Sequence, residues 1–208
     1  MKKNFTVDNN TRASNPGNAS LNPFVWIYHD TQKILVQTSI LLFSIFLTIQ
    51  VSFWLIPLVI LSLFSNGFYW LHKKEHFRSG DSNGGIVISV RPTLVAVATD
   101  LTQGFGHYPA IKIIKCNSLK NVKINDKIAT VALYSQSKNP NVPHWVGFNP
   151  IPLSFATKDQ EVLDKAIKSY DMDQWESIKS RLEELDKPYR PGLFKTEIET
   201  SDWKSITK

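Results

Sequence analysis

Cysteine is almost missing from this chain: Cys116 stands alone among 208 residues. No internal disulfide can form, and a reducing compartment suits such a sequence. Catalytic signatures are missing too. There is no Gly-x-Ser-x-Gly, no cysteine set beside a histidine, and no phosphate-binding loop. Gly104-Phe-Gly106 lacks the third glycine and the following helix of a dinucleotide fingerprint. His72, His76, His107, His144 and Cys116 do not fall at the spacing of three or four metal ligands. These absences lean away from an enzyme and imply no metal and no cofactor.

The most informative absence is of charge. Residues 34–71 contain no Asp, Glu, Lys, Arg or His across 38 consecutive positions. A single helix of that length would be about 57 Å long, against a hydrocarbon core of about 30 Å. Two antiparallel spans fit better. The polar break falls at Gln50 and Ser52, and Pro57 then sits in the first turns of a second helix, where its missing N–H costs least. Trp26 and Tyr28 precede the run, Phe53 and Trp54 mark its middle, and Tyr69 and Trp70 close it, as in an interfacial aromatic belt. Transmembrane helices are therefore expected at 33–51 and 54–71. The competing reading is a helical hairpin buried in a soluble core.

Positive charge orients the hairpin. Lys2, Lys3, Arg12 and Lys33 lie before it, Lys73, Lys74 and Arg78 after it, and the turn has no Lys or Arg. By the positive-inside rule both termini and the soluble domain are cytoplasmic. The apolar run starts too late and is too long for a cleavable signal peptide. Net charge is +2 over 1–33, +6 over 72–157 and −2 over 158–208. The basic middle follows the hairpin, where anionic lipid attracts Lys and Arg by about 1 kcal/mol each. The lipid bilayer thus explains the basic balance without nucleic acid. Lys112, Lys115, Lys120, Lys123 and Lys127 with Tyr108, Tyr134, Trp145 and Phe148 do supply ingredients of a stacking platform, but the membrane tether argues against that use.

Read in order, 1–21 is a polar leader of disordered composition. Residues 22–71 hold an interfacial segment and the hairpin, with Asn22 as cap and Pro23 at the first helical position. A basic juxtamembrane linker follows at 72–85, ending in Gly, Ser and Asn. Residues 86–157 read as short strands at 86–90, 94–101, 108–115, 128–135, 145–148 and 151–156, of which 108–115 alternates, the last two interrupted by Asn149-Pro150 and Pro152. That spacing, with no helix between, predicts a small antiparallel β-barrel or sandwich. Two amphipathic helices fill 158–187, the first opened by a capping box at Thr157 and Gln160. Residues 188–208 read as a tail. The fold class is an α+β membrane protein.

The densest run is 92–113. With Thr130-Val-Ala-Leu-Tyr134, Asn149-Pro-Ile-Pro152, Trp175 and Tyr189-Arg-Pro-Gly-Leu193, it resembles the bacterial family known as domain of unknown function three-two-three-nine, over roughly 84–194. The resemblance implies a bacterial protein with a membrane-associated soluble domain, hence the inner membrane, and brings no activity or ligand.

The best candidate site is the loop holding Asp100, Gly104, Gly106, His107 and Tyr108. Two glycines let backbone approach a ligand, and Asp100 with His107 could act as acid and base or hold a metal. The plainer reading is a hairpin connection in which Asp100 closes a turn through backbone hydrogen bonds. A membrane-anchored module that binds a protein partner or itself is the leading expectation. A tethered enzyme or ligand-binding domain using this loop is the alternative. A third is an accessory subunit of a larger complex, with Gln37, Gln50 and Ser62 facing neighbouring helices.

Overall fold

A computed structural model describes residues 17–103, 106–139 and 142–196. Helix α1 (Pro23–His29) starts where Asn22 and Pro23 direct it, the Asn22 side chain accepting the Phe24 N–H at 3.0 Å. Helices α2 (Thr31–Gln50) and α3 (Ile56–Ser79) form an antiparallel pair joined through a 3-10 turn at Phe53–Leu55. At 1.5 Å per residue they are about 30 and 36 Å long. The few residues this pair buries in its apolar stretch are small and hydroxylated: Ser44, Thr48 and Ser62. Each donates its hydroxyl back to its own helix, to Leu41, Ser44 and Leu58 carbonyls respectively, all at 2.8 Å. Small side chains let the backbones approach closely. Leu, Ile and Phe side chains face outward instead, and Trp54 at the tip is 92% exposed. Ser62, expected to meet a neighbouring helix, is spent inside the hairpin.

No linker follows. The segment 72–85 is helix through Ser79 and strand from Asp81, with Gly80 alone between. The reason is burial: the last turns of α3 place Phe77, fully buried, against Trp26 with ring centroids 5.6 Å apart, and His76 Nε2 lies 2.8 Å from the Val131 carbonyl oxygen. Burying Phe77 stabilises the junction by about 2–3 kcal/mol. Gly80 is needed there, since a Cβ would come within 2.9 Å of the Ala132 carbonyl oxygen and 2.8 Å of a Val131 methyl. The end of the leader is also ordered. Gly17, Asn18 and Ala19 donate N–H groups to the Gly80, Arg78 and Phe77 carbonyls. The rest of that leader, 1–16, lies outside the described residues, as does 197–208 of the expected tail.

Strands β1 (Asp81–Val90), β2 (Thr93–Asp100), β3 (Pro109–Lys115), β4 (Lys127–Ser135), β5 (Gly147–Pro152) and β6 (Gly192–Lys195) form one antiparallel sheet in the order β5-β4-β1-β2-β3-β6. It is neither a closed barrel nor a sandwich. β5 and β6 are its two ends and do not pair. The sheet nonetheless curls, because Trp145 before β5 donates its N–H to Leu101 after β2 at 2.8 Å, and Thr102 bridges His144. It is a half-barrel with an open seam.

Two strands differ from expectation. β5 runs unbroken through Pro150 and Pro152, because it is an edge strand and both prolines share the parity whose missing N–H faces away from β4. β6 forms within the expected tail, where Gly192 and Phe194 pair with Ile113 and Ile111. Helices α4 (Gln160–Lys168) and α5 (Met172–Glu183) pack on β4 and on β1, β2 and β3. The cap of α4 is Asp159, whose carboxylate takes the Glu161 and Val162 N–H groups. Thr157 instead accepts the Asp159 N–H. α5 seats Trp175 directly over Gly84, where a Cβ would meet the indole at 2.8 Å. The second glycine of the supposed linker is thus a packing requirement.

Candidate functional site

The loop after β2 is organised by one carboxylate. Asp100 Oδ1 accepts the Thr102 N–H at 2.9 Å, the Thr102 hydroxyl at 2.5 Å and the Tyr108 N–H at 3.1 Å. Its Oδ2 lies 3.0 Å from His107 Nδ1. Burial pushes the Asp100 carboxyl up, but the hydrogen bonds from Thr102 and Tyr108 and the adjoining His107 ring outweigh it and hold the group below the usual carboxylate range. Gly106 adopts φ +104°, and a Cβ there would strike the Tyr108 ring at 2.7 Å, so a glycine is required. Gly104 lies outside the described residues. Of the five candidates, the structure therefore brings together Asp100, Gly106, His107 and Tyr108.

What they form is a closed turn. The Asp–His pair is about half exposed, with side-chain accessibilities of 42% and 50%. A pair of this kind serves as a general base when a nucleophile rests against the other ring nitrogen. Among the described residues, none is hydrogen-bonded to His107 Nε2. The loop also gathers residues distant in sequence. The Tyr108 ring lies 4.7 Å from that of His144, and Lys195 Nζ is 3.5 Å from His144 Nε2. Among the described residues, no group of three or more His, Cys, Asp and Glu is placed to hold a metal.

Beside this turn lies a cleft that the loop motif does not announce. β1 and β2 pair only from Ile86 (with Ala96) to Val90; toward Asp81, β1 pairs with β4 alone, while 97–100 pairs with β3. The strands diverge, and α5 covers a space of about 460 Å³ between them. Tyr134 bridges the split, and Arg181 closes it from above. The Tyr134 hydroxyl donates to Asp81 Oδ2 at 3.2 Å and accepts from the Thr99 hydroxyl at 2.7 Å. Arg181, reaching down from α5, donates Nη1 to the Thr99 and Ala110 carbonyls at 2.5 and 2.9 Å. Burial, then the Asp81 charge, push the Tyr134 phenol above its ordinary value, so it stays protonated. Burial likewise lowers Arg181, while Asp100 and Glu184 act in the opposite direction. The groups hydrogen-bond one another, and none is an activated nucleophile. Asp81, Thr99, Tyr134 and Arg181 come from four separate elements, so no contiguous motif could have marked them.

Comparison with known proteins adds three findings. A family model described as protein of unknown function (DUF3239) matches residues 71–186. Comparison with curated proteins finds no match. Among solved structures, the crystal structure of a candidate membrane protein from Corynebacterium diphtheriae is similar at 20% sequence identity, covering 55% of this chain and 99% of that one, with a TM-score of 0.47.

Proposed function

The chain belongs to the DUF3239 family of proteins of unknown function, and on that premise we propose that it is a non-enzymatic, membrane-anchored binding module. The α2–α3 hairpin would lie in the bilayer, and the half-barrel with α4 and α5 would sit at its surface and engage a protein partner or a second copy. One observation carries this reading. The helices are long and apolar enough to cross a membrane, yet only 11% and 6% of their most apolar windows is buried. A hairpin in a soluble core would be mostly buried, so these outward Leu, Ile and Phe side chains call for an apolar solvent. Lys33 before the hairpin and Lys73, Lys74 and Arg78 at its end support placing the domain on the cytoplasmic side of a bacterial inner membrane.

Alkaline carbonate extraction tests the anchor. The full chain stays in the membrane pellet; release into the supernatant would overturn the proposal. A ligand site at the Asp100 loop is the second reading, favoured by the adjoining cleft. It requires Asp100→Ala and His107→Ala chains that fold normally to lose a cellular phenotype that the parent chain supports.

A further inference from the structure

The open seam of the half-barrel has a chemistry unlike the rest of the surface. β6 pairs with β3 only over Ala110–Ile113, so the outer edge of β3 is free from Ile114 onward. Facing it across the gap is the outer edge of β5. A cleft of about 580 Å³ occupies this seam, and the base of the hairpin is its third wall; Trp26 of α1 and Phe155, in the turn after β5, give it apolar surfaces.

Four lysines line it, each from a different direction or register: Lys33 on α2, Lys73 on α3, and Lys112 and Lys115 on β3. One carboxylate, Asp30, shares the lining and already accepts the Tyr69 hydroxyl at 2.7 Å. Among the described residues none of the four lysines is salt-bridged. Lys73 is positioned as well as charged, its ammonium 5.0 Å from the Trp26 ring centroid and 5.9 Å from that of Tyr69. The backbone adds a donor. Ile111 and Ile113 turn their outer hydrogen-bonding groups to β6, and Lys115 is the next residue of that parity, past the point where β6 has ended. Its N–H is therefore directed into the seam.

Four lysines against the single Asp30 carboxylate leave an excess of positive charge on apolar walls, and with a free strand edge this is built for an anion carrying several acceptor oxygens. Its location selects the source. The cleft opens where the lysine-bearing base of the hairpin meets the domain, beside the outward apolar face of α2. From these observations we infer that the seam binds the phosphate of an anionic phospholipid headgroup, the acyl chains lying along the hairpin. This rests on the membrane reading above. A free phosphate would satisfy the same lysines but not the apolar approach.

Native mass spectrometry of the full chain in neutral detergent tests it, with phosphatidylglycerol, phosphatidylcholine and inorganic phosphate titrated separately. One phosphatidylglycerol is retained at least ten-fold more tightly than phosphatidylcholine. Lys73→Gln with Lys115→Gln removes about ten-fold of that affinity, and so does Lys33→Gln with Lys112→Gln should the first pair fold poorly. Lys74→Gln with Arg78→Gln, on the same helix end but outside the cleft, leaves it unchanged. Equal losses in the cleft and control pairs, or no preference for the anionic lipid, overturn the site. Inorganic phosphate displacing the lipid at equal concentration overturns the lipid as ligand. The cleft variants remain resistant to carbonate extraction, so a failed anchor and a failed cleft are told apart.

Discussion

Asp100 holds its loop by accepting three hydrogen bonds on one oxygen while the other faces His107. The folded carboxyl lies below its ordinary range, so its contribution to stability is present above the unfolded value of about 3.9 and is lost as pH falls through the folded one. Asp100→Asn should cost about 1 kcal/mol at neutral pH. It should also flatten part of the fall in urea midpoint between about pH 5 and 3. Tryptophan-monitored unfolding in detergent reads both; an acid limb identical to that of the parent would show that the turn does not depend on this charge. Cys116 makes a second residue-scale case. Burial pushes its thiol up to about 12, and the side chain is 5% exposed. Maleimide should leave the folded chain unmodified and react once it is unfolded. The Asp100 turn was legible in the sequence because every residue in it is local.

Between elements, the packing contacts are long-range and less legible. The two long helices were readable from their uncharged apolar run, α4 and α5 from their helical period, and most strands from short apolar or alternating runs between turn residues. The misreadings share a cause. A basic stretch followed by Gly-Ser-Asn looks like a linker until Phe77 and His76 are seen buried and Trp175 is seen over Gly84. β6 is four residues long and exists because β3 offers it an edge. Gly84→Val should therefore displace the indole and destabilise the domain by about 1–3 kcal/mol, measured as a lower urea midpoint. Arg181→Met keeps the stem but removes the hydrogen bonds to Thr99 and Ala110. A loss of about 2 kcal/mol is expected, and a neutral result would mean that α5 is held by its buried apolar residues Trp175, Ile178 and Leu182.

At the scale of the whole molecule, hairpin and domain are one body. α3 enters the sheet through a single residue, and Trp26 and Phe77 belong to the same core as Val95, Ile111 and Trp175. A fragment beginning at Asp81 should lose cooperative unfolding and bind a hydrophobic dye, whereas a domain on a flexible tether would survive the cut. On the proposed membrane reading, the consequence for function is that the half-barrel would not swing free of the bilayer, and its seam, basic and open beside the hairpin base, would be held at the lipid surface. The most direct measurement of this arrangement uses a membrane-impermeant maleimide on intact cells, with Cys116 silent through burial. Trp54→Cys at the hairpin tip should react from outside, and Lys168→Cys on α4 only after permeabilisation. Reaction of both residues only after permeabilisation, or of Lys168→Cys from outside, would contradict a hairpin that spans the membrane with its domain inside.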